Sequence, residues 1–433
     1  MTILPFQSRS KDLKDSILAV KEDGFFLLTD AGLQAQDIEW HLHAAERWQQ
    51  VGRNTGAVMV YADYHQHPLI DYQCGSLRDD FDFGKVLWIQ TRAAQAVLDE
   101  IPDNLSFAAF YALRLALSRK GLIFHLKEAL YRLLPQENID KEARQFAYVD
   151  PRQRAYQIEM EQVCTQHLKH IGAYLPERKQ VIDTKAGVFP VEASVIIPVR
   201  NRIKTIREAV LSALQQVCDF PFNVIVVDNH SSDGTREALE ALAAEYTHLQ
   251  PLFPERQDLN IGGCWNYAID SEHCGRFAVQ LDSDDLYSDE QTLQKIVDLF
   301  HQEQCAMIVG SYRICNFRKE TLPPGLIDHK EWTPENGHNN ALRINGLGAP
   351  RAFFTPLLRQ LHLPNTSYGE DYAMGLAITR EYRLGRIYDE LYLCRRWEDN
   401  SDADISLDKL NANNHYKDSL RSMEILLRQK MNA

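Results

Sequence analysis

Two hydrophobic patterns alternate along the C-terminal half of this chain. Short, nearly unbroken apolar runs occur at SVIIPV (194–199), NVIVVD (223–228) and FAVQLD (277–282). Runs of this length without polar alternation predict strands buried on both faces. Between them, apolar residues recur at helical spacing, as at Ile203, Ile206, Val210 and Ala213, with Asn201 as the predicted cap. The stretch TREALEALAAEY (235–246) repeats that pattern. Alternation of strand and helix predicts a parallel sheet covered by helices on both faces. In such sheets ligands bind outside the carboxyl ends of the strands. Pro198 to Asn201, Asp228 with Asn229, and Asp282 to Asp285 all fall at such ends.

The third of these places is the most acidic. In a strand, residues two apart share a side, so Asp282 and Asp284 project together, with Asp285 in the turn. Crowded carboxylates repel, and a divalent cation with substrate phosphates would relieve that repulsion. A solvated acidic turn is the other reading of the same residues.

The pattern also repeats within the chain. FFLLTD (25–30) matches FAVQLD (277–282), GAVMVYADY (56–64) matches CAMIVGSY (305–312), and residues 110–132 match 371–395. A helix is expected in both copies, over 37–50 and 289–302. The copies differ in their acids. Asp30-Ala31-Gly32 stands where the second copy has its acidic turn, and Ala109-Phe110 where it has Glu370-Asp371. These features predict three parts. Residues 1–135 are a truncated copy without the catalytic carboxylates, 136–191 a helical linker, and 192–433 the catalytic domain with a C-terminal helix.

Composition narrows the function classes. A chain of 433 residues with 45% hydrophobic and 25% charged residues is that of an ordinary globular protein. A net charge of −13 argues against nucleic acid as a partner. The eight cysteines contain no CxxC pair, so neither a zinc site nor a disulfide framework is suggested. No apolar run is long enough to span a membrane, and the N-terminus lacks a signal-peptide pattern, so a cytoplasmic location is expected.

Taken together, SVIIPVRNR, VIVVDNHSSDGT, LNIGGCWNYAID, FAVQLDSDD and GEDYAMGLAI resemble the motif series of family 2 glycosyltransferases, over about residues 192–400. The resemblance implies a GT-A fold, an α/β Rossmann-like mixed sheet flanked by helices. It also implies a nucleotide-diphosphate sugar donor, a divalent metal (Mn²⁺ or Mg²⁺), and a single displacement that inverts the anomeric carbon. Carried onto this sequence, Pro198, Arg200 and Asn201 meet the nucleoside, and Asp228 and Asn229 read base and ribose. Asn229 replaces an Asp found in many members, which leaves the base open, with uridine the first choice. Asn260, Gly262, Gly263 and Asn266 lie near the donor. Asp282, Ser283, Asp284 and Asp285 form the DxD region, with the three aspartates holding the metal. Asp371 matches the general base, beside Glu370. Arg396-Trp397 resemble the pair of processive members, but Leu393 stands where those have Gln, so processive synthesis is not expected.

The acceptor, a saccharide or another hydroxyl compound, is less marked. Arg351, after a Gly-Leu-Gly turn, is a candidate for anionic groups. The polar segment 317–344 reads as an acceptor loop or lid, with His329 and Trp332 as sugar contacts. Two rival classes remain: a non-catalytic nucleotide-sugar or glycan-binding protein, and a sugar-phosphate nucleotidyltransferase. The second would want a glycine-rich phosphate loop after the first strand, and Pro-Val-Arg-Asn-Arg has no glycine.

Overall fold

A computed structural model describes residues 2–134, 153–177, 180–330, 333, 335–397 and 405–433. Contacts divide the chain into two compact units. One comprises Met1–Tyr174, Leu342–Asn345 and Ile405–Ala433; the other comprises Leu175–Ala341 and Gly346–Asp404.

Among the described residues, the first unit contains seven strands: β1 (Ile3–Leu4), β2 (Gly24–Leu28), β3 (Ile38–Trp40), β4 (Met59–Ala62), β5 (Val86–Gln90), β6 (Ile123–Leu126) and β7 (Tyr131–Leu133). Five form a sheet in the order β1-β2-β5-β4-β6, and β3 pairs with β7. The helix predicted over 37–50 is two elements. Residues 38–40 alternate and pair with β7, and the helix runs Ala44–Thr55. An aromatic core of Phe26, Trp40, Trp48 and Tyr131 fills the space beneath the sheet, with ring centroids 5.2–6.2 Å apart.

Two helices outside the predicted copy complete this unit. Helix Arg154–His170 falls in the expected linker, whose residues 136–152 lie outside the described residues. Helix Leu407–Asn432 was expected to pack on the C-terminal domain, but its contacts place it here. The reason is charge. Its buried residues are mostly charged: Lys417, Asp418, Arg421, Glu424 and Arg428. Asp418 Oδ1 meets Arg421 at 2.8 Å and Arg78 at 3.5 Å, and Ser76 Oγ donates to Asp418 Oδ2 at 2.9 Å.

The second unit continues with β8 (Ala193–Val199), β9 (Phe222–Asp228), β10 (Leu249–Leu252), β11 (Phe277–Gln280), β12 (Leu286–Tyr287), β13 (Met307–Cys315), β14 (Thr321–Ile327), β15 (Arg351–Phe354) and β16 (Leu384–Arg395). The sheet order is β10-β9-β8-β11-β15-β13-β16-β12, with β14 on β13. Strands β10, β9, β8 and β11 are mutually parallel, as the apolar runs predict. Strand β15 enters antiparallel between β11 and β13, which makes the sheet mixed. Helix Thr292–Glu303 buries Leu293, Ile296, Val297 and Phe300, a helical stripe, and Phe300 stacks on Phe277 at 4.2 Å. The fold class is therefore the expected one, α/β with a mixed sheet flanked by helices.

The two sheets share a pattern of order and orientation. In the first, β1–β2 is parallel, β2–β5 and β5–β4 are antiparallel, and β4–β6 is parallel. In the second, β8–β11 is parallel, β11–β15 and β15–β13 are antiparallel, and β13–β16 is parallel. Helices Ala109–Ser118 and Glu370–Thr379 are each 10 residues long. Each carries a buried tyrosine at its third position, Tyr111 and Tyr372, whose hydroxyl donates to a backbone carbonyl, that of Leu77 and Ala341 respectively.

The buried charges make a testable case. Asp418→Ala leaves Arg421 and Arg78 buried without their shared carboxylate, a loss of about 3–5 kcal/mol for breaking a buried pair. Urea unfolding should show that loss, whereas Asp408→Ala in the first turn of the same helix should change stability little.

Candidate active site

Strands β8, β9 and β11 end on one side of the second unit. The loops there and the start of helix Glu370–Thr379 enclose a cleft of about 600 Å³. Of the predicted residues, Pro198, Arg200, Asn229, Asn260, Asp282, Ser283, Asp284, Asp285, Arg351, Glu370, Asp371 and Arg396 line it. Residues about 90 positions apart in sequence, at the end of β11 and the start of the helix, thus meet in one cavity.

Arg351 is one of the lining residues. It opens β15, and its Nη1 lies 3.0 Å from Asp371 Oδ2 and donates to Gly348 O at 2.6 Å. Its backbone N–H donates to Gln280 Oε1 at 3.2 Å, and Gln280 Nε2 donates to Asp282 Oδ1 at 2.9 Å. Gln280 is one of the residues that sequence reasoning missed. Its signal was a polar side chain inside an apolar run, and it is only 3% exposed. Arg202 is another. It lines the cleft, and its Nε lies 3.9 Å from Asp284 Oδ2.

The three aspartates differ. Asp284 accepts from Trp397 Nε1 at 3.1 Å, which places Trp397 beside the acidic turn although it does not line the cleft. Asp282 opens into the cleft, yet the protein packed around it desolvates it and raises its pKa; Arg351 and the Gln280 bond act against the rise, and Asp284 adds to it. Asp285 is tied into the fold, with Oδ1 accepting from Arg395 N at 2.7 Å. Burial, then the charges of Asp282 and Asp284, push it well above the usual carboxylate range. Among the described residues no three His, Cys, Asp or Glu side chains converge as a cation site. All three aspartates of the expected set line the cleft, with Asp285 held by the backbone of β16 and Asp282 and Asp284 grouped beside it. That donor set fits Mg²⁺ or Mn²⁺, which take one or two carboxylates and fill the remaining positions with phosphate and water.

Glu370 and Asp371 open their helix after Gly369, whose φ of +78° suits glycine. Acids are favoured at this helix end. Glu370 Oε2 is buried with no hydrogen-bond partner in the protein. Burial first, then Asp371, pushes its pKa up to about 8.

Other predicted residues bond or pack within the protein. Asn201 does not cap the next helix, which follows Thr205; at φ 53°, its Oδ1 instead accepts from Ser232 N at 2.8 Å and joins two loops. Asp228 is buried and caps a turn by accepting from Ser231 N at 3.2 Å. Gly262 approaches Pro364, whose carbonyl oxygen a Cβ would meet at 1.9 Å, so its close approach is to the protein itself. Gly263 and Asn266 line a separate hollow, and Asn266 clamps the backbone of Leu363 at 2.8 and 2.9 Å. His329 is 1% exposed, packed under Gly348, and so is not a surface sugar contact. Trp332 lies outside the described residues. Thr321–Ile327 of the segment read as a lid form the strand β14, paired with β13.

Residues 194–356 match the family model for glycosyl transferase family 2. Six cleft residues, Glu370, Asp371 and Arg396 among them, lie beyond the end of the matched segment. The chain is also 32% identical over 142 residues to an uncharacterized glycosyltransferase, YfnE, of Bacillus subtilis, a match that spans 32% of this chain and 34% of that one. The chain thus covers about a third of that relative's length. Among solved structures it resembles S. aureus TarS 1–349 in complex with UDP-GlcNAc, at 22% identity and a TM-score of 0.41, over 55% of this chain and 72% of that one. It also resembles the mannosyltransferase PcManGT of Pyrobaculum calidifontis in complex with GDP-Man and Mn²⁺, at 17% identity and a TM-score of 0.39, over 65% and 84%. No described helix is long and apolar enough to cross a membrane.

The buried Glu370 gives a pH signature. Its folded pKa of about 8 exceeds its ordinary value of 4.5, so the folded state keeps a proton that the unfolded chain has lost between those pH values. Its contribution therefore falls as pH rises through that window. Glu370→Gln removes this dependence, and urea unfolding should show the variant gaining stability relative to the parent between pH 5 and pH 8.

Proposed function

We propose that this protein is an inverting glycosyltransferase that moves a sugar from a nucleotide-diphosphate donor to an acceptor hydroxyl. One observation carries the reading: the acids at the end of β11 and Asp371 open on the same cleft, with Arg351 between them. Sugar transfer needs both groups. Negative charge develops on the leaving diphosphate, and the acceptor hydroxyl must lose a proton as it attacks. Asp371 is the base that takes that proton. Arg351 fixes its carboxylate and sets a cation beside the developing charge. Asp284 and Asp282 would hold Mn²⁺ or Mg²⁺. The metal, when bound, supplies Lewis-acid stabilisation of the leaving diphosphate.

Asn229 and Arg200 at the strand ends suit a nucleoside, with UDP-sugars the first donors to test. The resemblance of the motif series supports the GT-A reading of the fold and a role in glycan or polysaccharide synthesis. The first unit, in this reading, is a shortened copy that lacks the acids. The shared order of its sheet, and the helix that persists over Ala109–Ser118 without a Glu-Asp pair, support that assignment.

Asp371→Asn keeps the shape of the site and removes the base. Screening nucleotide sugars with Mn²⁺ by thermal shift identifies the donor. On that donor, the variant should bind UDP as the parent does in calorimetry and lose ~10²–10⁴-fold in transfer rate. Transfer at the parental rate would remove Asp371 as the base.

A further inference from the structure

Arg202 stands beside the acidic turn without closing a hydrogen bond to it. Its Nε is 3.9 Å from Asp284 Oδ2, beyond the roughly 2.7–2.9 Å of a charge-assisted hydrogen bond. Asp284 Oδ2 accepts instead from Trp397 Nε1 at 3.1 Å. The Arg202 guanidinium lies over the ring of that tryptophan, 5.9 Å from its centroid, and Lys204 Nζ lies 5.7 Å from the same centroid. Both are within the ~6 Å at which an indole attracts a cation. The ring thus keeps positive charge at the edge of the turn.

The backbone beneath Arg202 is fixed to the same turn. Arg202 N donates to Thr235 Oγ1 at 2.9 Å, and Arg202 O accepts from Ile206 N at 2.9 Å. Thr205 is buried, and its Oγ1 donates to Ser283 O at 2.9 Å. Arg202 lines the cleft, whereas Lys204 does not. A guanidinium carries five N–H donors in a rigid fork. Among the described residues, the one acceptor that the Arg202 side chain meets at hydrogen-bond distance is Asn201 O, 3.2 Å from Nη1. The side chain is 24% exposed. Its fork is therefore open to a ligand yet partly shielded from water, where bonds to charged groups are stronger.

We propose that Arg202 binds the diphosphate of the donor, as a second cation beside the metal that Asp284 and Asp282 would hold. The inference rests on the nucleotide-diphosphate reading of the cleft. When the bond from sugar to phosphate oxygen breaks, its electron pair stays with the diphosphate, and Arg202 meets the negative charge that results. The fork suits phosphate oxygens, which it can grip two at a time.

Calorimetry on the full-length chain tests it with two probes, Mn²⁺ alone and inorganic pyrophosphate in excess Mn²⁺. Pyrophosphate carries the diphosphate without base or sugar, so the result does not depend on which nucleotide the donor has. Arg202→Gln should bind pyrophosphate about tenfold to a hundredfold more weakly. It should bind Mn²⁺ alone at least as tightly as the parent, because a cation beside Asp284 has gone. Arg202→Lys keeps the charge and loses the fork, and should fall between. Lys204→Gln removes the same charge from the same loop outside the cleft, and should weaken pyrophosphate binding about threefold or less. Unchanged pyrophosphate binding in Arg202→Gln would overturn the proposal. So would an equal loss in Lys204→Gln, or a loss of Mn²⁺ affinity in step with that of pyrophosphate. If Arg202→Gln fails to fold, Arg202→Lys decides by the same comparisons. A parent chain that binds no pyrophosphate would remove the diphosphate reading of the cleft together with this proposal, a result distinct from the loss of Arg202 alone.

Discussion

One guanidinium joins the two acidic sides of the cleft. Asp282, Asp284 and Asp285 arrive from the end of β11, and Glu370 and Asp371 from the start of a helix. Five carboxyl groups meet in one partly dehydrated cavity, where like charges repel strongly because the protein screens charge far less than water does. Arg351 contacts Asp371 directly and adjoins Asp282 through the shared side chain of Gln280. Its place follows from the topology. The antiparallel strand β15, lying beside β11, begins with Arg351 and delivers it between the two sides.

The same environment gives neighbouring acids different work. Asp284 and Asp285 are adjacent in sequence and both line the cleft, yet Asp284 accepts from the Trp397 indole and Asp285 from the backbone of β16. Asp285 therefore fixes the turn on which Asp282 and Asp284 stand. Glu370 and Asp371 divide in a similar way, with one carboxyl oxygen of Glu370 buried and unbonded and Asp371 paired to Arg351. Burial and partner, rather than residue type, separate the acids that hold the site from those that face its ligand.

Much of this was legible in the sequence. Apolar runs marked β8, β9 and β11, and the acids beyond them marked the cleft, because buried strands and their polar ends leave a local signature. What was missed depends on partners far away in the chain. Nothing local in DSDD shows that Arg395 binds Asp285. His329 reads as a polar loop residue, yet it is packed under Gly348. Gly262 and Gly263 resemble donor-site glycines, but their missing side chains admit Pro364 and Asn365. The C-terminal helix hid its buried face because that face is charged, whereas periodicity detects apolar stripes.

The central claim is that one cleft holds a nucleotide diphosphate at Asp282 and Asp284 opposite a base at Asp371. A crystal structure with UDP and Mn²⁺ tests it most directly. The account predicts that Asp284 and Asp282 hold the metal beside the diphosphate, with Asp285 still bonded to Arg395 and Asp371 still lining the same cleft. A metal on Asp285, or UDP bound away from this cleft, would contradict it.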